Sequence, residues 1–67
     1  MTTYEFDCIN SSTGKTMQIK IDQDDEFLNT TVDGNYLGML VMDFSELGYS
    51  TDDEALKPLL VDIVKCL

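Results

Sequence analysis

A chain of 67 residues has room for one domain, and a domain of that size hides only about 60% of the surface its unfolded form exposes. Thirteen acidic residues stand against four lysines, with no arginine and no histidine, so the formal net charge at pH 7 is −9. That balance repels phosphate backbones and anionic bilayers, which excludes direct nucleic-acid binding and attachment to a membrane surface. A hydrophobic fraction of 43%, arranged periodically, excludes a disordered chain.

Tyr4, Phe6 and Cys8 alternate with Glu5 and Asp7, the period of two that marks a half-buried strand. Ser11 to Gly14 has turn composition. Met17, Ile19 and Ile21 then alternate with Gln18, Lys20 and Asp22 in a second strand, and the two strands form a β-hairpin with a loop of four or five residues. Asp22 to Phe27 places four acids in five residues and reads as a polar turn. The stretch FLNTTV that follows is rich in β-branched and apolar residues, and Asp33-Gly34 supplies a tight hairpin signal, because a type I′ turn needs positive φ at both central positions. YLGMLVMD is the returning strand. A two-residue turn puts Leu28, Thr30 and Val32 on one side with Leu37, Met39 and Val41. Phe27 and Thr31 then share the other side with Tyr36, Leu40 and Met42, and a three-residue loop would exchange these pairings.

Residues 43–50, with Phe44, Leu47, Gly48 and Tyr49, make an irregular connection. Thr51-Asp52-Asp53-Glu54 fits the capping box of a helix, and its acids suit the positive end of the helix dipole. Leu56, Leu59, Leu60, Ile63, Val64 and Leu67 follow at helical spacing as one apolar stripe, with Pro58 on the opposite side, where the helix either kinks or restarts with Lys57 before it. The expected fold is α+β: a single domain over 1–67, a four-stranded antiparallel sheet of two β-hairpins, and one C-terminal amphipathic helix packed on one face.

The absence of histidine removes the commonest general base and metal ligand and every Ser-His or Cys-His arrangement. Cys8, in phase with Tyr4 and Phe6, reads as a small core residue, and Cys66 as a half-buried thiol at the helix end. Two distant cysteines do not make a zinc site. They read as reduced thiols of a cytoplasmic protein, since a disulfide scaffold of this length usually carries four or more; the alternative, one bridge tying the ends together, needs their Cα atoms within about 7 Å. The N-terminal residues lack the basic start and apolar run of a secretory signal, and no stretch approaches the roughly 18 apolar residues of a membrane span. Asp22, Asp24 and Glu26 alternate like the start of an EF-hand loop, but Phe27 stands where the glycine belongs and Asp33 where the bidentate glutamate belongs. Gly34 and Gly38 lie in a hairpin and a strand, not before a helix, so they form no phosphate cradle. No catalytic, cofactor-binding or metal-ligating residue is expected, and no cofactor.

One helix covers one face of the sheet. On the far face the first hairpin offers Glu5, Asp7, Gln18 and Lys20, whereas the second offers Phe27, Tyr36, Leu40 and Met42. Burying a large apolar side chain contributes roughly 1.5–3 kcal/mol, so this second set is expected to have a cover: the 43–50 loop, a second copy in a symmetric dimer, or another protein. The expected function is therefore that of a small acidic, non-enzymatic protein-interaction domain with Phe27, Tyr36, Leu40 and Met42 as its partner-binding residues. The alternative is an inhibitor that imitates the charge of DNA and blocks a nucleic-acid-binding protein. It rests on the −9 charge and the acid clusters at 22–26 and 52–54.

Overall fold

The computed structural model of the chain describes residues 2–67. Five antiparallel strands follow one another as a meander: β1 (Thr2–Ile9), β2 (Thr16–Asp24), β3 (Phe27–Val32), β4 (Asn35–Met42) and β5 (Tyr49–Ser50), side by side in that order. A 3₁₀ turn, Lys57–Leu59, then runs into the helix α1 (Leu60–Cys66). The architecture is α+β as expected, with one strand more. That strand comes from the 43–50 segment, which turns back at Gly48 (φ +78°) so that Ser50 pairs with Val41 and Tyr49 with Met42. The turn is closed by the Asp43 amide donating to the Gly48 carbonyl at 3.0 Å.

The other turns follow local chemistry. Asn10 organises the β1–β2 loop, its carbonyl accepting from Gly14 N–H (2.7 Å) and its side-chain oxygen from Ser12 N–H (2.9 Å). Strand β2 continues through Asp24, so the acidic stretch is mostly strand and the turn tightens to Asp25 and Glu26, with Asp25 at φ +59°. Asp33 and Gly34 take φ +51° and +83°, the positive values a type I′ hairpin requires.

The register of β3 against β4 departs from the expected one. Thr30 pairs with Gly38 but Thr31 pairs with Tyr36, so Leu37 is an extra residue in a β-bulge. Beyond it the pleat is shifted by one. Leu40 lies opposite Leu28 on the helix side and is 0% exposed, while Met39 and Val41 lie opposite Asn29 and Phe27 on the far side. The expected facing of Leu40, Met39 and Val41 is thus reversed. Met42 also falls on the helix side, its sulfur 3.5 Å from Gln23 Nε2. The bulge brings Leu37 against the core together with Leu40, and Thr30 is buried there, its hydroxyl donating to the Leu28 carbonyl at 3.1 Å.

No capping box forms at Thr51. Its hydroxyl is engaged by β4 instead, donating to the Met39 carbonyl at 2.9 Å and accepting the Asp53 amide at 3.1 Å. Asp53 Oδ2 accepts the Met39 amide at 2.8 Å. These two side chains continue along β4 what β5 begins, satisfying backbone groups that a short edge strand leaves free. The connection crosses the sheet at Gly38 (φ +146°), where a Cβ would press into the Asp53 carboxylate. The regular helical turns begin only near Pro58, whose missing N–H is no loss at the head of a helix.

The apolar stripe of the last segment then seals the core. Leu56 and Ile63 are fully buried over Ile19, Ile21, Leu28 and Leu40, with Leu59 and Leu60 packed beside them. The helix is held at the first hairpin: Asp62 Oδ2 accepts Ser11 N–H (3.1 Å) and Oγ–H (3.0 Å), and the Cys8 thiol donates to the Asp62 carbonyl at 3.2 Å.

Candidate protein-interaction surface

The face of the sheet turned away from α1 divides into two halves. On the first hairpin it presents Thr3, Glu5, Asp7, Gln18, Lys20 and Asp22, with the Thr3 hydroxyl donating to Asp22 Oδ1 at 2.8 Å. On the second it presents Phe27, 40% exposed, and Tyr36, 61% exposed, with Met39 and Val41 half-buried between them. Phe27 stands directly opposite Val41, an aromatic–aliphatic cross-strand pair of the kind that stabilises a sheet. The Tyr36 hydroxyl donates to Asn29 Oδ1 at 3.0 Å, which ties the tip of the ring across to β3.

Of the four residues the sequence reading assigns to partner binding, the structure brings Phe27 and Tyr36 to this face. It buries Leu40 in the core and places Met42, 41% exposed, on the opposite face. Met39 and Val41 take their places, and the sequence reading missed both. A signal for them exists: a glycine inside a strand pattern, here Gly38, marks a bulge or a close backbone approach, and in this chain it marks both. Two of the three apolar residues of the 43–50 segment lie away from the patch. Tyr49 packs against the core on the helix side, and Phe44 stands fully in solvent.

The surroundings of the patch carry little chemistry. Among the described residues no group of three or more His, Cys, Asp or Glu side chains is arranged to hold a metal ion, and the acids at 22–26 extend along β2 and around a turn. Both cysteines are free. The Cys8 thiol is pushed up to about 12, first by burial, then by its neighbour Cys66 and by Asp62, so it remains protonated at neutral pH. Cys66 is exposed. Among the described residues no helix is long and apolar enough to cross a membrane.

A concavity lies on the helix side. Because α1 has only seven residues, it leaves the far end of the inner face open as a cleft of about 290 Å³ lined by Tyr4, Phe6, Tyr49 and Leu67 among others. Compared with protein-family models, with curated proteins and with solved structures, the chain matches none.

Proposed function

We propose that the chain is a non-enzymatic protein-interaction domain that seats a basic protein on the outer face of its second hairpin, over Phe27, Tyr36, Met39 and Val41. The observation that carries this reading is the exposure of Phe27 and Tyr36 on the face turned away from α1. Aromatic residues and methionine are the types enriched at the centres of interfaces. The basic character of the partner follows from charge. The chain carries −9, and the same face bears Glu5, Asp7 and Asp22 around a single lysine, Lys20. A second copy stacked on it would set these carboxylates against their own kind. The lack of histidine and a buried, protonated Cys8 favour binding over catalysis. Two free thiols fit the reducing cytoplasm.

A photo-crosslinking side chain at position 36, compared with one at the exposed Lys57 on the helix side, tests the reading in cells. Position 36 is expected to give a defined adduct with a basic protein that position 57 does not give. The purified complex should persist between about 0.05 and 0.5 M salt, because its contact is apolar, and be lost in Phe27→Asp. Identical adducts from both positions, or only adducts with the chain itself, refute it. A complex that dissolves with salt and ignores Phe27→Asp supports the DNA-mimic alternative instead.

A further inference from the structure

The sheet has two edges, and only one is covered. At β4 the outer backbone groups are met by β5, Thr51 and Asp53. At β1, among the described residues, no strand pairs with the outer side of Thr2–Ile9, which forms the first strand of the order β1-β2-β3-β4-β5. Which of its groups are free follows from alternation. The Asn10 amide donates to the Lys15 carbonyl at 2.9 Å, so Asn10 faces β2. Moving back by twos, Cys8, Phe6 and Tyr4 also face β2, and the amides and carbonyls of Thr3, Glu5, Asp7 and Ile9 point outward. The far side of β2 agrees: the Gln18 carbonyl accepts from Asp33 N–H at 2.9 Å, which turns Gln18 to β3 and leaves Met17 and Ile19 to β1.

The outer face of this edge carries Glu5 and Asp7 between Thr3 and the exposed Ile9. Glu5 and Asp7 stand on the outer face, and Lys20, directly opposite Glu5, forms no ion pair with it. On the inner face Tyr4, 43% exposed, and the half-buried Phe6 line the cleft left open by the short helix. The edge therefore presents a ladder of hydrogen-bonding groups turned away from β2, with Glu5 and Asp7 on one side and, on the other, a cleft in which Tyr4 and Phe6 stand beside Gln23 and Cys66. We infer that the free edge of β1 accepts an extended segment of a partner protein, added antiparallel to the sheet. Its basic side chains lie opposite Glu5 and Asp7, and its apolar side chains lie beside Tyr4 and Phe6 at the mouth of the cleft.

Strand addition of this kind takes affinity from main-chain hydrogen bonds and selectivity from alternate side chains. The antiparallel direction continues the existing ladder and is the more stable pairing. A second copy is disfavoured at this edge, since pairing β1 with itself about a two-fold axis gathers two Glu5 and two Asp7 side chains on one face, and like charges across strands are destabilising. The charges that deter self-pairing select a basic strand. This surface lies at the opposite edge of the sheet from Tyr36 and does not rest on the reading of that patch.

The test uses a capped peptide of alternating lysine and valine, eight residues long to match β1, titrated into the ¹⁵N-labelled chain. In an antiparallel pair, directly opposite residues put their side chains on one face and point their backbone groups either toward each other or both away. Opposite Glu5 and Asp7, the lysine amides therefore point at β1 and the valine amides point away. The Thr3, Glu5, Asp7 and Ile9 amides are expected to shift and to exchange about tenfold more slowly or better. N-methylation of the lysine amides is expected to weaken binding about tenfold or more, and N-methylation of the valine amides to change it by less than about threefold. Glu5→Lys/Asp7→Lys, two exposed positions, should transfer preference to a peptide of alternating glutamate and valine. Tyr36→Asp should bind the lysine peptide as the parent chain does. The inference fails if the lysine-methylated peptide binds equally well, if the valine-methylated one does not bind, if the shifts gather at the Asp25–Glu26 turn, or if the chain's own mass doubles through β1.

Discussion

In the first hairpin the pleat never slips: pairs run unbroken from Thr2 and Gln23 to Ile9 and Thr16, with Cys8, Met17, Ile19 and Ile21 buried. In the second hairpin the ladder breaks between Thr30 and Thr31, and Leu37 is squeezed out of the pairing. The sequences explain the contrast. A one-residue slip in β2 would bring Gln18, Lys20 and Asp22 into the core, so alternation alone holds the register. A slip in β4 exchanges Leu40 for Met39 or Val41, which changes little in hydrophobic terms. Where both faces are apolar the pattern cannot choose, and the choice passes to the chain that crosses the strand: Asp53 and Thr51, bound to the amide and carbonyl of Met39 above Gly38.

The sharpest way to break this comparison is to charge each face of β4 in turn. Leu40→Asp places an unpaired carboxylate among Leu28, Ile21 and Ile63 and should abolish cooperative unfolding, since such burial costs more than a small domain's whole stability of about 3–10 kcal/mol. Val41→Asp, one residue on but outward and half-buried, should cost about 1 kcal/mol. Thermal melts followed by circular dichroism decide it. A straight ladder predicts the reverse order.

The next largest effect concerns the clamp itself. Gly38→Ala drives a methyl group into the Asp53 carboxylate at a φ that side chains rarely adopt, and should cost about 2–4 kcal/mol. Gly34→Ala meets nothing within 4 Å and should cost only about 1 kcal/mol for its positive φ. Asp53→Ala, which leaves the half-buried Met39 amide without its acceptor, belongs between them at about 1–2 kcal/mol. Denaturant midpoints at constant slope measure all three.

These residues also show what is legible in such a sequence. Strands β1 and β2, the Asp33-Gly34 turn and the stripe Leu56–Leu60–Ile63 can be read directly, because each is a local pattern with one physical solution. The helix start at Thr51 misleads, since its hydroxyl and the Asp53 carboxylate serve a strand twelve to fourteen residues earlier in the chain and not their own amides. Strand β5 has only two residues and no period to read. For the candidate site, Phe27 and Tyr36 lie outside the shifted segment and keep their expected face, whereas Leu40, Met39 and Val41 lie beyond the bulge and exchange theirs.

The first hairpin is anchored to α1 through Cys8, which gives a pH-dependent contrast. The unfolded chain releases the Cys8 proton near the ordinary 9.0 and the folded chain only toward about 12. Between those values the unfolded state binds fewer protons, so stability is intact below pH 9 and falls as pH rises through the window, with a slope approaching about 1.4 kcal/mol per pH unit. Cys8→Ala should be less stable at pH 7 for its lost packing but lack this share of the alkaline fall. The difference between the two chains' denaturation curves reports the contribution of Cys8 together with its neighbour Cys66.

The smallest effect separates the Tyr36 ring from its hydroxyl. Tyr36→Phe removes the bond to Asn29, which is exposed on the outer face and exchangeable with water, so stability should change by only a few tenths of a kcal/mol. The ring itself remains on the outer face, opposite Thr31. If the patch seats its partner by apolar contact, Tyr36→Phe should therefore retain the complex that Phe27→Asp loses, as measured by competition between the two variants for the crosslinked protein. If instead Tyr36→Phe loses it as fully as Phe27→Asp, the hydroxyl and not the apolar ring carries recognition. The second hairpin would then resemble the first in meeting its surroundings through polar groups.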